Sequence, residues 1–173
     1  LVQTADRYDA VVVDTLRITS AFSGQHYSRE FYELVDGSMT DDGVFASWIP
    51  AWRTLNSAVQ VWPHVVVAQV AEYNDSWFLL GSRRPIDVAG AELLSRFRER
   101  VHPDAFGVEQ HRRLERYLAS WAPICVNRGG VVGDVPSEFE NRDLRPRDEF
   151  GFNNGYVAES QTFGTCPGYA LPD

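Results

Sequence analysis

Apolar and polar positions near the amino terminus follow the pattern of a strand, a helix and a second strand. Residues 8–14 (YDAVVVD) form a short apolar run closed by an acid, which is typical of a buried parallel strand. Residues 26–39 have helical spacing, and residues 41–50 contain a turn followed by a second apolar run. The pattern predicts a βαβ unit with Asp14 at the carboxyl end of its first strand, where open α/β sheets bind ligands.

The pattern continues with a helix, a hairpin and two further helices. Pro63 ends the first of these helices. Asn74 and Asp75 are predicted to form a two-residue hairpin turn, so we expect the sheet to end with an antiparallel strand. A break at His102 and Pro103 separates the last two helices. The predicted elements span residues 52–62, 64–73, 76–82, 91–101 and 108–121.

The last fifty residues have a different character. They contain few periodic runs and many Gly, Asn and Pro residues, so we expect an extended tail whose aromatic side chains pack on another surface. The sequence therefore divides into the carboxyl-terminal half of an α/β domain, a helical segment and an irregular carboxyl-terminal extension: residues 1–88, 89–122 and 123–173.

Composition narrows the classes of partner. With 173 residues, of which 44% are hydrophobic, the chain is long enough to bury a core. Its net charge of −8 argues against nucleic acid as a partner. All 16 basic residues are arginine, which excludes a Schiff-base lysine within this sequence. No apolar run approaches the roughly 20 residues that span a bilayer. We expect a cytoplasmic chain, with membrane association only through a partner or a missing segment.

The histidines and cysteines do not form a recognisable metal or redox motif. The histidines lack HxH and HExxH spacing, so we expect no metal. Cys125 and Cys166 do not form a CxxC pair. They are either a disulfide that ties the tail back in an oxidising compartment or two reduced thiols.

A Gly-rich loop between strand and helix is missing ahead of the first predicted strand. Only seven residues precede Tyr8 in this sequence, whereas such a loop lets backbone approach a cofactor closely. An unpaired apolar edge at this strand would also favour aggregation. We therefore expect another chain, or an upstream segment, to complete the sheet and the cofactor pocket in an oligomer or larger complex.

Several motifs occur in the order found in a known enzyme family. They are YDAVVVD, HYSREFYE, GVFASWIP, VWPHVVV, WFLLGSRRP and ENRDLRPRDEF, at residues 8–14, 26–33, 43–50, 61–67, 77–85 and 140–150. Together they resemble the spermidine synthase (polyamine aminopropyltransferase) family, and more closely the carboxyl-terminal half of bacterial members fused to membrane segments. The resemblance implies an α/β fold: the second half of a Rossmann-like, S-adenosylmethionine methyltransferase-type sheet with a helical and extended carboxyl-terminal region.

The resemblance also implies roles for individual residues. Asp14 matches the acid that deprotonates or positions the attacking amine, and the alternative is that it caps the following loop. Tyr73 matches a substrate-lining tyrosine, with packing as its alternative role. Ser47 replaces a glutamine of the family. Arg17 replaces a second acid that binds a polyamine ammonium, so Arg17 suits an anionic group or pairs with Asp14.

Three functions stay open. The first is part of an aminopropyltransferase, in which missing strands hold decarboxylated S-adenosylmethionine and this chain supplies the acceptor side with Asp14. The second is a non-catalytic structural or accessory subunit of a larger complex. The third is an S-adenosylmethionine-dependent methyltransferase whose acceptor tolerates Arg17. The fold does not choose among them. Arg17 and Ser47 weigh against spermidine synthesis itself, so an aminopropyltransferase-like protein is the leading hypothesis.

Overall fold

Strands and helices alternate through the first half of the chain, as the apolar pattern predicts. The computed structural model describes residues 5–14, 23–49, 52–69, 77–87, 89–121, 123–128 and 164–165. Its strands are β1 (Tyr8–Val13), β2 (Met39–Trp48), β3 (His64–Gln69), β4 (Trp77–Ser82), β5 (Ile124–Arg128) and β6 (Gly164–Thr165). Its α-helices are α1 (Arg29–Ser38), α2 (Trp52–Val59), α3 (Gly90–Arg100) and α4 (Val108–Ala119).

The strands form one mixed, six-stranded sheet in the order β1-β2-β4-β3-β5-β6. Strands β1 and β2 are parallel, with Val13 opposite Ser47, which confirms the predicted βαβ unit. Strands β3 and β4 are antiparallel, with Val67 opposite Leu79, which confirms the hairpin pairing. The chain is therefore α/β, and at this coarse level it is compatible with a Rossmann-like fold.

The sheet ends with an antiparallel strand, as predicted, but that strand is β6 and not a strand of the hairpin. Strand β5 pairs with β3 on the side away from β4, and β6 pairs with β5. The sequence gives little sign of β5, because ICVNR is a short run without alternation in a region rich in Gly and Pro. Pairing with the edge of an existing strand stabilises such a segment. This stabilisation comes from the neighbouring strand, so the β-propensity of the segment itself does not predict it.

Helix α1 begins later than its apolar spacing predicts. The hydroxyl of Ser28 accepts a hydrogen bond of 3.1 Å from the backbone N–H of Phe31, which is the geometry of an amino-terminal cap. The preceding residues, Ser23–Tyr27, form a short 3₁₀ helix. Strand β2 follows α1 directly at Met39, so Asp41, where a turn was predicted, lies within the strand.

Helices α1 and α2 and one face of the sheet enclose an aromatic core. The rings of Phe45 and Trp62 stack with centroids 4.8 Å apart, and the ring of Tyr32 lies 5.3 Å from each of them. All three side chains are buried. Burial of large aromatic rings contributes strongly to folding free energy, so this cluster anchors both helices to the sheet.

Close packing in this core explains a glycine in β4. A Cβ atom added at Gly81 would lie 2.4 Å from Cε3 of Trp62, which is shorter than any van der Waals contact between carbon atoms. We expect Gly81→Ala to lower the free energy of unfolding by about 1–3 kcal/mol, as for overpacked cores. Urea unfolding checks this, with Gly37→Ala as control because nothing lies within 4 Å of a Cβ there. An unchanged midpoint for Gly81→Ala would contradict the packing.

An ion pair between Arg83 and Asp36 lies at the edge of the core, directly after strand β4. The Arg83 guanidinium donates from Nε and Nη2 to the two carboxylate oxygens of Asp36, each at 2.9 Å. Asp36 also accepts from Nε1 of Trp62 at 3.1 Å. The hydrogen bond to Asp36 raises the pKa of Arg83. Because a bidentate pair fixes geometry as well as charge, it ties α1 and the core indole to the end of β4.

Helices α3 and α4 form a hairpin on the opposite face of the sheet. Nε of Arg98 contacts Oε1 of Glu115 at 2.6 Å, and the rings of Phe97 and His111 lie 4.6 Å apart. The two helices predicted around the break at residues 102–103 are thereby confirmed. Among the described residues, no helix has the length and apolar character needed to cross a membrane.

The helical hairpin covers only part of this second face. Trp121 lies against Phe78 at 5.5 Å, whereas Val12 is 73% exposed and Trp48 is 38% exposed. Strand β1 lies at the edge of the described sheet, with β2 as its neighbour. That another chain or an upstream segment pairs with β1 stays a prediction, as does the division of the chain into three regions.

Candidate functional site

A pocket lies where the parallel strands β1 and β2 end. Its volume is about 330 Å³, within the range of small-molecule sites. Strand β4 runs antiparallel to β2 and places Phe78 opposite Trp48, so its first residues reach the same edge. Helix α4 supplies the remaining wall. The described lining residues are Val12, Val13, Asp14, Ala46, Ser47, Trp48, Phe78 and Tyr117.

Asp14 is the acidic residue at the mouth of this pocket. It directly follows β1 and is exposed, and its Oδ1 accepts a hydrogen bond of 3.0 Å from the indole Nε1 of Trp48. This bond joins the ends of β1 and β2 and fixes the direction of the carboxylate. A carboxylate accepts several hydrogen bonds through its two oxygens, so Asp14 retains the capacity to accept from a ligand N–H.

Ser47 lies one residue before Trp48 and opposite Val13. Its side chain is buried, and its hydroxyl donates to the carbonyl oxygen of Trp48 at 3.2 Å. Asp14 and Ser47 therefore line one pocket, as their positions at the ends of parallel strands predict.

Aromatic rings form much of the remaining wall. Tyr117 packs edge-on against Trp121 with centroids 5.5 Å apart, and Trp121 in turn contacts Phe78. Burial raises the pKa of Tyr117 to about 12, so its phenol is neutral throughout the physiological range. The described lining of the pocket thus combines one carboxylate with neutral, largely apolar walls, which suits a cation with an apolar body.

The buried side chain of Tyr32 makes the stability of the fold depend on pH under alkaline conditions. Burial, and secondarily the nearby Tyr27, raises the pKa of Tyr32 well above its usual value of 10.0. The unfolded chain therefore ionises first, and stability that is complete below about pH 10 falls as the pH rises further. We expect Tyr32→Phe to unfold at higher pH than the wild type, monitored by circular dichroism and tyrosinate absorbance.

The same variant has an internal control at neutral pH. The hydroxyl of Tyr32 is buried without a hydrogen-bond partner among the described residues, so its removal breaks no described bond. We expect neutral-pH stability to be equal to or above that of the wild type. An alkaline midpoint that does not move would contradict the assignment of Tyr32 as a group that destabilises the fold on ionisation.

Two predicted site residues, Arg17 and Tyr73, lie outside the described residues, as does Cys166. His26 is described; it is exposed, and its ring contacts Phe31 edge-on at 5.5 Å. In the part of the chain that the structure describes, no cluster of three or more His, Cys, Asp or Glu side chains could hold a metal ion.

The sequence interpretation missed three aromatic residues of the pocket. Trp48 follows Ser47 in the same motif, so its place at the end of β2 was a usable signal. Phe78 is the second residue of β4 and reaches the pocket because β4 pairs with β2, which the sequence does not indicate. Tyr117 comes from α4, and no local pattern links that helix to β1. Its position depends on how the helical hairpin packs on the sheet.

Comparison with known proteins does not extend this picture. No family model matches the sequence, and no curated protein matches it.

Proposed function

We propose that this chain forms the amine-acceptor side of an aminopropyltransferase-like site. The observation that carries the proposal is the carboxylate of Asp14 at the carboxyl end of β1, hydrogen-bonded to Trp48, in a pocket whose other walls are mostly apolar and aromatic. A carboxylate beside aromatic rings binds an ammonium group through charge and through the faces of the rings. The resemblance of the sequence motifs supplies the reaction class.

In this proposal Asp14 accepts a proton from the amine and orients the amine nitrogen. The amine nitrogen must lose a proton so that its lone pair can attack the methylene carbon attached to the donor's sulfonium sulfur. A C–N bond forms as the C–S bond breaks, the electron pair stays on sulfur, and the proton passes to Asp14 or through it to water. A carboxylate that accepts a hydrogen bond from the amine both positions the nitrogen and removes the proton.

We expect a different chain or segment to supply the part of the site that binds the aminopropyl donor. A ribose-binding acid and a Gly-rich backbone would belong to a further parallel strand, and the described parallel pair consists of β1 and β2. We propose that a partner chain or an additional segment supplies these groups and holds decarboxylated S-adenosylmethionine. The acceptor amine would then lie between that donor and Asp14.

The test is a product search with the protein in its natural assembly. The protein is incubated with decarboxylated S-adenosylmethionine and a set of aliphatic amines, and products are identified by mass spectrometry. We expect amines that have gained an aminopropyl group. Amine binding without transfer would favour the accessory subunit, and a methyl group gained from S-adenosylmethionine would favour the methyltransferase. Absence of any amine binding would refute the proposal.

A further inference from the structure

The described pocket contains one ionised group. Asp14 is the acidic residue among the described lining residues, and both acids of the neighbouring helix α4 are engaged with arginines. Glu115 contacts Arg98 at 2.6 Å, and Glu109 contacts Arg116 at 3.8 Å. The ligand's first ammonium therefore has a carboxylate partner in Asp14, whereas the described walls offer none for a second ammonium.

Apolar surface extends from Asp14 along the strands. Val12 precedes Asp14 by two residues and so lies on the same side of β1, and it is the most exposed of the large apolar side chains described, at 73%. The exposed ring of Trp48 and the ring of Phe78 continue this surface. A ligand with an apolar body would remove these groups from water, which is favourable in proportion to the area buried.

Helix α4 adds a wall at Tyr117 that supplies no carboxylate. Tyr117 stays neutral because burial raises its pKa to about 12. A distal ammonium placed along this wall would lose hydration without gaining a carboxylate from the described residues.

Building on the proposed amine site, we infer that the pocket selects amines with a single ammonium and an apolar body over diamines. The ammonium binds Asp14 and the apolar body covers Val12, Trp48 and Phe78. This preference distinguishes the pocket from one built for polyamines, which needs acidic groups at both ends of the ligand.

The experiment compares three ligands of equal chain length: pentylamine, cadaverine and pentanol. Cadaverine carries a second ammonium in place of one hydrogen of the terminal methyl group of pentylamine, and pentanol lacks the ammonium that Asp14 would bind. Binding to the full chain is measured by isothermal titration calorimetry. We expect pentylamine to bind about tenfold more tightly than cadaverine. Burial of the terminal methyl group of pentylamine is favourable, whereas the second ammonium of cadaverine would lose hydration without a charged partner.

A designed reversal sharpens the comparison. Val12→Asp introduces a second carboxylate at an exposed position, and Val12→Asn introduces a similar shape without the charge. We expect Val12→Asp to bind cadaverine at least as tightly as pentylamine, and Val12→Asn to leave pentylamine the tighter ligand. If both variants give the same ratio of affinities, charge at this wall does not set the selectivity and the inference is overturned.

Failure of the inference is separable from failure of the proposed function. Cadaverine binding as tightly as pentylamine in the wild type, with Asp14→Asn weakening both, overturns the selectivity and leaves the amine site standing. Pentanol binding as tightly as pentylamine, or amine binding that is unaffected by Asp14→Asn, overturns the amine site and the inference together.

Discussion

If Asp14 is the general base of the proposed aminopropyl transfer, Asp14→Asn is expected to lower the rate by about a hundredfold or more. Asn keeps the size of Asp and can still accept from Nε1 of Trp48 through its amide oxygen, so the local fold should persist. It cannot take a proton from the amine or balance its charge. Steady-state kinetics should therefore show a large fall in kcat, with circular dichroism unchanged.

Asp9→Asn is the matched control for this experiment. Asp9 lies on the same strand and is also exposed, but its Oδ1 accepts a hydrogen bond of 2.9 Å from Thr40, at the end of β1 away from the pocket. We expect Asp9→Asn to keep wild-type turnover. If Asp14→Asn and Asp9→Asn behave alike, Asp14 does not take part in the reaction and the accessory-subunit hypothesis gains.

Trp48→Phe separates orientation from proton transfer. It keeps an aromatic wall but removes the N–H that holds the carboxylate of Asp14. We therefore expect it to behave between the wild type and Asp14→Asn, because the acid remains present but is less well positioned. Activity below that of Asp14→Asn would indicate that the indole has a role of its own.

Trp62→Ala is expected to lower the free energy of unfolding by about 3–5 kcal/mol, as for other buried aromatic residues truncated to alanine. The ring is 1% exposed, stacks on Phe45 and contacts Tyr32. Its loss leaves a cavity between α1, α2 and the sheet and removes the hydrogen bond to Asp36. Against a typical total of about 5–15 kcal/mol, this variant should be close to unfolding at room temperature.

Trp48→Ala provides the comparison for residue type. Trp48 is 38% exposed, so its truncation removes less buried surface and should cost clearly less than Trp62→Ala. Urea unfolding followed by circular dichroism measures both. Equal losses would show that the aromatic cluster around Trp62 contributes no more to the stability of the sheet than the residues at the pocket end of the strands.

The sequence by itself determined the local elements and the position of the acid. Apolar runs and helical spacing predict β1, α1 and β2 because burial of one face imposes a period on the chain. The same argument predicts the hairpin and the two terminal helices. Since parallel strands end at a common edge, it also places Asp14 and Ser47 together, and the register of Val13 with Ser47 confirms this.

Only the tertiary structure decided which strands are neighbours and which helix closes the pocket. Alternation specifies the face a side chain occupies but not the strand that pairs beside it, so the position of β4 between β2 and β3, and the addition of β5, could not be derived. Tyr117 reaches the pocket of Asp14 because α3 and α4 pack on the sheet through Trp121 and Phe78. That contact joins residues far apart in the chain, and its stability comes from burial after folding rather than from any local preference.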